Sequence, residues 1–151
     1  MSGLKHAQSF RDLIVYQKSR ELQREIFRIT KSFPKEETYS LTDQIRRSSR
    51  SIGANISEAW AKRRYEKHFI SKLPDSDGEQ METQHWIETA LDCGYIAQNT
   101  SSQMLKNCLE IGRMLNGMMA KAEMFCGEPP RTLREDSAVY FTQSNYKDTD
   151  N

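Results

Sequence analysis

The chain has 151 residues, of which 36% are hydrophobic and 28% charged, with seven Gly and four Pro. That is room for one domain, or one domain with a tail; it is too apolar for a disordered chain and too poor in Gly and Pro for a loop-rich β fold. Twenty-two basic against 21 acidic residues leave a net charge of +1, so overall charge selects no partner and only its distribution can inform.

Four helical segments follow in chain order, separated by short links that favour an antiparallel up-down-up-down four-helix bundle. The first is expected from about Phe10 to Phe33. Val15, Leu22, Ile26, Ile29 and Phe33 recur at steps of three, four and seven, with Ser19 filling the missing step, and Pro34 stops the helix. The second is expected to start at Tyr39 or Ser40, with Ser40 and Asp43 as a capping box. Its seam is Leu41, Ile45, Ser48, Ile52, Ile56 and Ala59. Ser48, Ser49, Ser51, Gly53 and Ala54 would let a neighbouring helix come close. Gly53 costs about 1 kcal/mol against Ala in a helix interior, which a kink or a tight contact would explain.

The third segment runs from about Arg64 to Cys93, closed by Gly94 as a left-handed cap with Tyr95 and Ile96 behind it. Leu73-Pro74-Asp75-Ser76-Asp77-Gly78 reads locally as a turn, and Pro costs about 3 kcal/mol inside a helix. Phe69, Leu73, Gln80, Gln84, Ile87 and Leu91 nevertheless keep helical phase across it, with Asp77 as a polar step. The expectation is one kinked helix. The fourth runs from Ser101 or Ser102 to Phe125. Its seam is Met104, Cys108, Ile111, Leu115, Met118, Ala122 and Phe125, widened by Leu105, Met114 and Met119. Gly127 and Pro129-Pro130 end it. The division is an arm over 1–9, a bundle over 10–126 and a polar tail over 127–151, in which Val139, Tyr140 and Phe141 are the apolar cluster and which is expected to be mobile or weakly docked.

The opening residues, Met1 to His6, hold no apolar run, and no stretch approaches the ~20 apolar residues of a bilayer span. The expectation is a soluble cytoplasmic protein. Cys93, Cys108 and Cys126 have no CxxC spacing and read as ordinary reduced thiols.

Motifs for catalysis are fragments. Glu82-x-x-His85 has the spacing of a bundle di-iron site, but no second Glu-x-x-His accompanies it. Glu79-x-x-Glu82 could open a magnesium site, yet the fourth helix offers only Glu110 and Glu123, too far apart to pair. Asp75-x-Asp77-Gly78 lacks the closing Glu of a calcium loop. No phosphate-binding Gly loop or nucleophile elbow occurs. No cofactor and no enzymatic activity are expected.

Charge distribution says more. Arg20, Arg24, Arg28 and Lys31 form one stripe on the first helix, Arg46, Arg47 and Arg50 lie on the second, and Lys62, Arg63, Arg64 and Lys67 follow at its end. No Lys or Arg occurs between Leu73 and Leu105, a stretch holding Asp75, Asp77, Glu79, Glu82, Glu88 and Asp92. Three readings stand side by side. The basic face neutralises phosphates; or basic and acidic faces meet between subunits; or Glu21 and Glu25, three before Arg24 and Arg28, make it a plain solvated surface. Trp60, next to the basic turn, is the aromatic to consider for base stacking, although Tyr16, Trp60, Phe69 and Trp86 also suit a core. The wide, Met-rich fourth stripe suggests a subunit interface.

Phe10-x-Asp12-Leu13-x-Val15-Tyr16-Gln17-Lys18, Gln44-Ile45-Arg46-Arg47-Ser48-Ser49, Ser51-Ile52-Gly53-Ala54-Asn55-Ile56-Ser57-Glu58, Glu82-Thr83-Gln84-His85-Trp86 and Gly94-Tyr95-Ile96 together resemble the four-helix bundle proteins encoded in intervening sequences of 23S rRNA genes, also labelled S23 ribosomal protein. The resemblance covers about Phe10 to Phe125. Gly53 stands where many members have Pro, Ala59 where many have Gly, and Pro74 is unusual for the third helix. The resemblance implies a ring-like homopentamer and kinship with the accessory protein of diversity-generating retroelements, which binds nucleic acid and a reverse transcriptase. It carries over no catalytic residue. Asn55 and Glu58 belong to the family pattern and read first as interhelix hydrogen-bonding groups. The leading function is therefore a non-enzymatic RNA- or DNA-binding accessory, acting through Arg46, Arg47, Arg50, Lys62, Arg63 and Arg64, supported by Arg20, Arg24 and Arg28. The alternative is a protein-interaction or structural homo-oligomer.

Overall fold

A computed structural model describes residues 7–126; Gly127, Pro129, Pro130, the 139–141 cluster and the first six residues lie outside the described range. Four helices, α1 Ile14–Thr30, α2 Asp43–Ala61, α3 Glu66–Asp92 and α4 Gln98–Ala120, make the fold, with no strand among the described residues. Each helix packs on the next, α2 on α3 most extensively, and α4 returns to α1. Facing residues fit an up-down-up-down course: Thr30 meets Arg46 and Ser19 meets Gly53, Ser48 meets Thr83 and Ile52 meets Ser76, Gln80 meets Gly112 and Phe69 meets Phe125. Among the described residues no helix is long and apolar enough to cross a membrane.

The seams of α1, α2 and α4 are those the spacing predicts, with Ile29 half-buried and Thr30 an added buried position. The helix ends differ. Phe10–Asp12 is a separate 3-10 turn capped by Ser9, and Leu13 is extended, which carries its side chain to complete burial before α1 begins. Ser40 is not a cap: a 3-10 turn at Lys35–Glu37 and a π turn at Thr38–Thr42 already wind the backbone ahead of α2, and the Ser40 hydroxyl donates to Glu37 instead. α4 starts one turn early, at Gln98, because Ser101 points inward and is fully buried rather than capping.

α3 runs through Pro74 as one helix. Pro74 faces outward, so its ring and the Ile70 carbonyl it leaves without a helical partner lie on the solvent side. The buried row is Phe69, Leu73, Ser76, Gln80, Thr83, Ile87 and Ala90, at alternating steps of four and three. Its small polar members let α2 approach. Ser76 donates to the Ile52 carbonyl at 2.8 Å, and Thr83 to the Ser48 hydroxyl at 2.9 Å. Gly94 (φ +74°) closes α3 as expected: its N–H reaches the Leu91 carbonyl and the Tyr95 N–H the Ala90 carbonyl, both at 2.9 Å. The Tyr95 ring then rests 5.5 Å from Phe33.

Candidate nucleic-acid interface

The register of α1 on α2 is set at its tightest point by Gly53, where a Cβ would lie 3.0 Å from the Ser19 hydroxyl and 3.4 Å from the Tyr16 ring. At the other end Arg46 locks the pair: its Nε donates to Thr30 Oγ1 at 2.8 Å and its Nη2 to the Phe27 carbonyl at 3.5 Å. Between these points the two helices present a strip of cations around one aromatic ring. Phe27 is 41% exposed. The Arg46 guanidinium lies 4.7 Å from its centroid, the Lys31 ammonium 4.8 Å and the Arg50 guanidinium 5.8 Å. The negative faces of the ring hold these like charges together, at about 0.5–1 kcal/mol each. Among the described residues no carboxylate forms an ion pair with Lys31, Arg46 or Arg50.

Arg20 and Arg24 extend the strip along α1, both exposed. Arg20 lies 6.0 Å from the Tyr16 ring and donates to its hydroxyl at 3.2 Å. Arg28 turns toward Glu25, 4.0 Å away. Arg47 leaves the group. One residue is 100° around a helix, and that rotation sends Arg47 to the α3 side, where it pairs with Glu79 at 3.5 Å and with Glu82. The α2 arginines thus serve two faces, Arg46 and Arg50 the basic strip and Arg47 an interhelix bridge.

The turn from α2 to α3 carries a second basic cluster. The Lys62 N–H closes α2 on the Ala59 and Glu58 carbonyls. Arg63 lies over Trp60 at 4.2 Å and donates to its carbonyl at 3.0 Å. Trp60 itself is 8% exposed and belongs to the core, so a base has no access to it. Lys62, Arg64 and Lys67 are exposed, as are Tyr65 and His68, whose rings are 5.5 Å apart. Sixteen residues of helix rise separate Arg46 from Lys62, about 24 Å. The basic residues that the sequence groups together are therefore two patches at opposite ends of α2.

Of the candidate metal motifs, Glu79 and Glu82 stay together but share the Arg47 guanidinium, and the others have separate partners. Glu82 faces Arg47, while the His85 ring sits against Trp86 at 4.7 Å. Asp75 pairs with Lys72 at 3.4 Å and Asp77 accepts from Gln80 at 2.9 Å. Among the described residues no three of His, Cys, Asp and Glu are grouped so as to hold a metal. The Lys72 ammonium, 2.8 Å from Glu58, holds that carboxyl below its ordinary range. Burial pushes the Cys108 thiol up to about 12 and that of Cys126 up to about 11, which keeps both in the unreactive thiol form. Sequence reasoning passed over Phe27 and Tyr65. Phe27 carries a signal, three residues after Arg24 and four before Lys31, which puts it on the basic stripe.

The family described as 23S rRNA-intervening sequence protein matches residues 11–117. A crystal structure of a protein with unknown function from the S23 ribosomal protein family, from Bacteroides thetaiotaomicron, is similar to this chain. The two are 30% identical with a TM-score of 0.64, over 71% of this chain and 96% of that one. No curated protein shows significant similarity.

Proposed function

The chain belongs to the 23S rRNA-intervening sequence protein family, and from that premise we propose that it is a non-enzymatic, cytoplasmic RNA-binding accessory protein that works as a homo-oligomer, a pentamer by family resemblance. One observation carries the reading: Lys31, Arg46 and Arg50 gather around Phe27 with no carboxylate paired to them among the described residues. Three cations held this close repel one another, and an anionic ligand relieves that repulsion. A polyanion with closely spaced phosphates fits the strip better than one small anion, because Arg24 and Arg20 continue it along α1.

A structural homo-oligomer is the second reading, favoured by Glu88 and Asp92, which stand outward on α3 with a charge opposite to the basic strip of another copy. Light-scattering mass at low and high salt, with and without a structured RNA, separates the two. An oligomer that gains mass with RNA at low salt only supports the accessory role. An oligomer that ignores RNA and dissociates at high salt supports subunit contacts through these faces instead.

A further inference from the structure

The two basic patches differ in what they do with their aromatic rings. At Phe27 the ring is already taken by cations, so that patch meets phosphates. At the α2–α3 turn, Tyr65 is 61% exposed, and its ring neighbour is the His68 imidazole rather than a Lys or Arg side chain. Arg64, Tyr65 and His68 are shared by two shallow grooves. One continues past Lys62 and Arg63, the other past Glu66 and Lys67. The exposed Tyr65–His68 pair thus lines both grooves, with Lys62 and Arg63 along one and Glu66 and Lys67 along the other. Packing does not account for Tyr65 being there: its backbone is extended just before α3 and its side chain makes no capping hydrogen bond. Tyr39 is more exposed still, at 82%, but follows Glu36 and Glu37 and has no such surroundings.

We propose that the α2–α3 turn takes one unpaired nucleotide of a bound RNA, its base stacked on Tyr65 beside His68 and its flanking phosphates lying in the two grooves near Lys62, Arg64 and Lys67. A paired base is closed inside its duplex and cannot reach the ring; a looped or bulged base can, and stacking accepts any base. The inference rests on the nucleic-acid reading above and deepens it. The α1–α2 strip holds the backbone of a structured RNA, and the turn, about 24 Å along α2, selects one with an unpaired segment.

The test compares a hairpin RNA bearing an unpaired loop with a blunt duplex of equal phosphate number, by fluorescence anisotropy at fixed salt. Tyr65→Ala should weaken hairpin binding by about 5- to 150-fold, the range of one lost base–aromatic stack, and leave duplex binding unchanged. Tyr65→Trp should restore the hairpin, and Tyr39→Ala should change neither. A 2-aminopurine in the loop should lose fluorescence on binding the wild type and not on binding Tyr65→Ala. Tyr65→Ala acting equally on both RNAs, or on neither while both still bind, overturns the stacking inference and leaves the phosphate-binding reading intact. A wild type that binds neither RNA overturns both.

Discussion

Lys31 and Arg50 are the positions at which phosphate contact can be counted without disturbing the fold. Both are exposed, and among the described residues each is held by the Phe27 ring alone, whereas Arg46 also donates to Thr30 and to the Phe27 carbonyl. Neutralising Lys31 and Arg50 together as Lys31→Gln/Arg50→Gln gives up two exposed cation–π contacts, about 1–2 kcal/mol of stability, which a typical domain survives. If Arg20, Arg24, Lys31, Arg46 and Arg50 all meet phosphates of a duplex, the logarithm of affinity falls against the logarithm of salt with a slope of about −4.5. The double variant, with three cations left, should give about −2.7. Raising salt fourfold then weakens the wild type about 500-fold and the variant about 40-fold. Titration of a labelled RNA duplex at four salt concentrations reads the slope directly. An unchanged slope in a variant that is folded and still binds would refute phosphate contact by this patch, whatever happens to the absolute affinity.

Three further outcomes test the architecture. Gly53→Ala should change stability by about 1 kcal/mol or less, because better helix propensity offsets the 3.0 Å approach to the Ser19 hydroxyl, whereas Gly53→Leu should cost about 1–3 kcal/mol by forcing α1 off α2; urea denaturation that ranks Leu as harmless removes the close crossing. Pro74→Ala should stabilise the protein by about 1–3 kcal/mol in the same assay, since it returns a hydrogen bond to the Ile70 carbonyl at an exposed site; a destabilised variant would mean that α3 needs its Pro to follow α2. Labelling with a chromophoric disulfide at pH 8 should mark Cys93 first and Cys108 only on unfolding, because the Cys108 thiol titrates at about 12 when folded. The sign follows: the unfolded thiol ionises near its ordinary value, so stability falls as pH rises above about 8.5, and native labelling of Cys108 at the rate of Cys93 would contradict its burial.

What the sequence discloses depends on how much hydropathy contrast each position carries. Val15, Leu22 and Ile26, or Met104, Cys108 and Ile111, announce a buried stripe because their neighbours are polar. Ser76 and Thr83 occupy equally buried positions and are silent, since small hydroxyl residues read alike in a core and on a surface. The spacing of Phe69, Leu73, Gln80 and Ile87 admits either Asp77 and Gln84, the expected steps, or Ser76 and Thr83, the ones that are buried. The expected cap at Ser40 fails and the cap at Ser9 goes unread for a related reason: a hydroxyl can close a turn, cap a helix or donate to the helix itself, and the choice lies with the backbone around it. The basic residues were visible as a group but not as two patches. Counting 100° per residue separates Arg47 from Arg46 and Arg50, whereas pairing Arg47 with Glu79 and Glu82 requires knowing that α3 lies on that side.

The packing of α2 and the polarity of the surface have one origin. Small residues along α2, Ser48 and Ser49 near its start and Gly53 at its middle, let α3 approach on one flank and α1 on the other. A helix gripped this closely on both sides keeps a narrow outer face, and any long side chain there must bend toward one neighbour. Arg47 bends to the acidic α3; Arg46 and Arg50 bend to α1, whose answering residue is the uncharged Phe27. A carboxylate at position 27 would have neutralised the strip and given the bundle an ordinary surface ion pair. An aromatic ring instead holds the guanidinium groups against α1 while leaving their charge unspent, which is what a surface for an external polyanion requires.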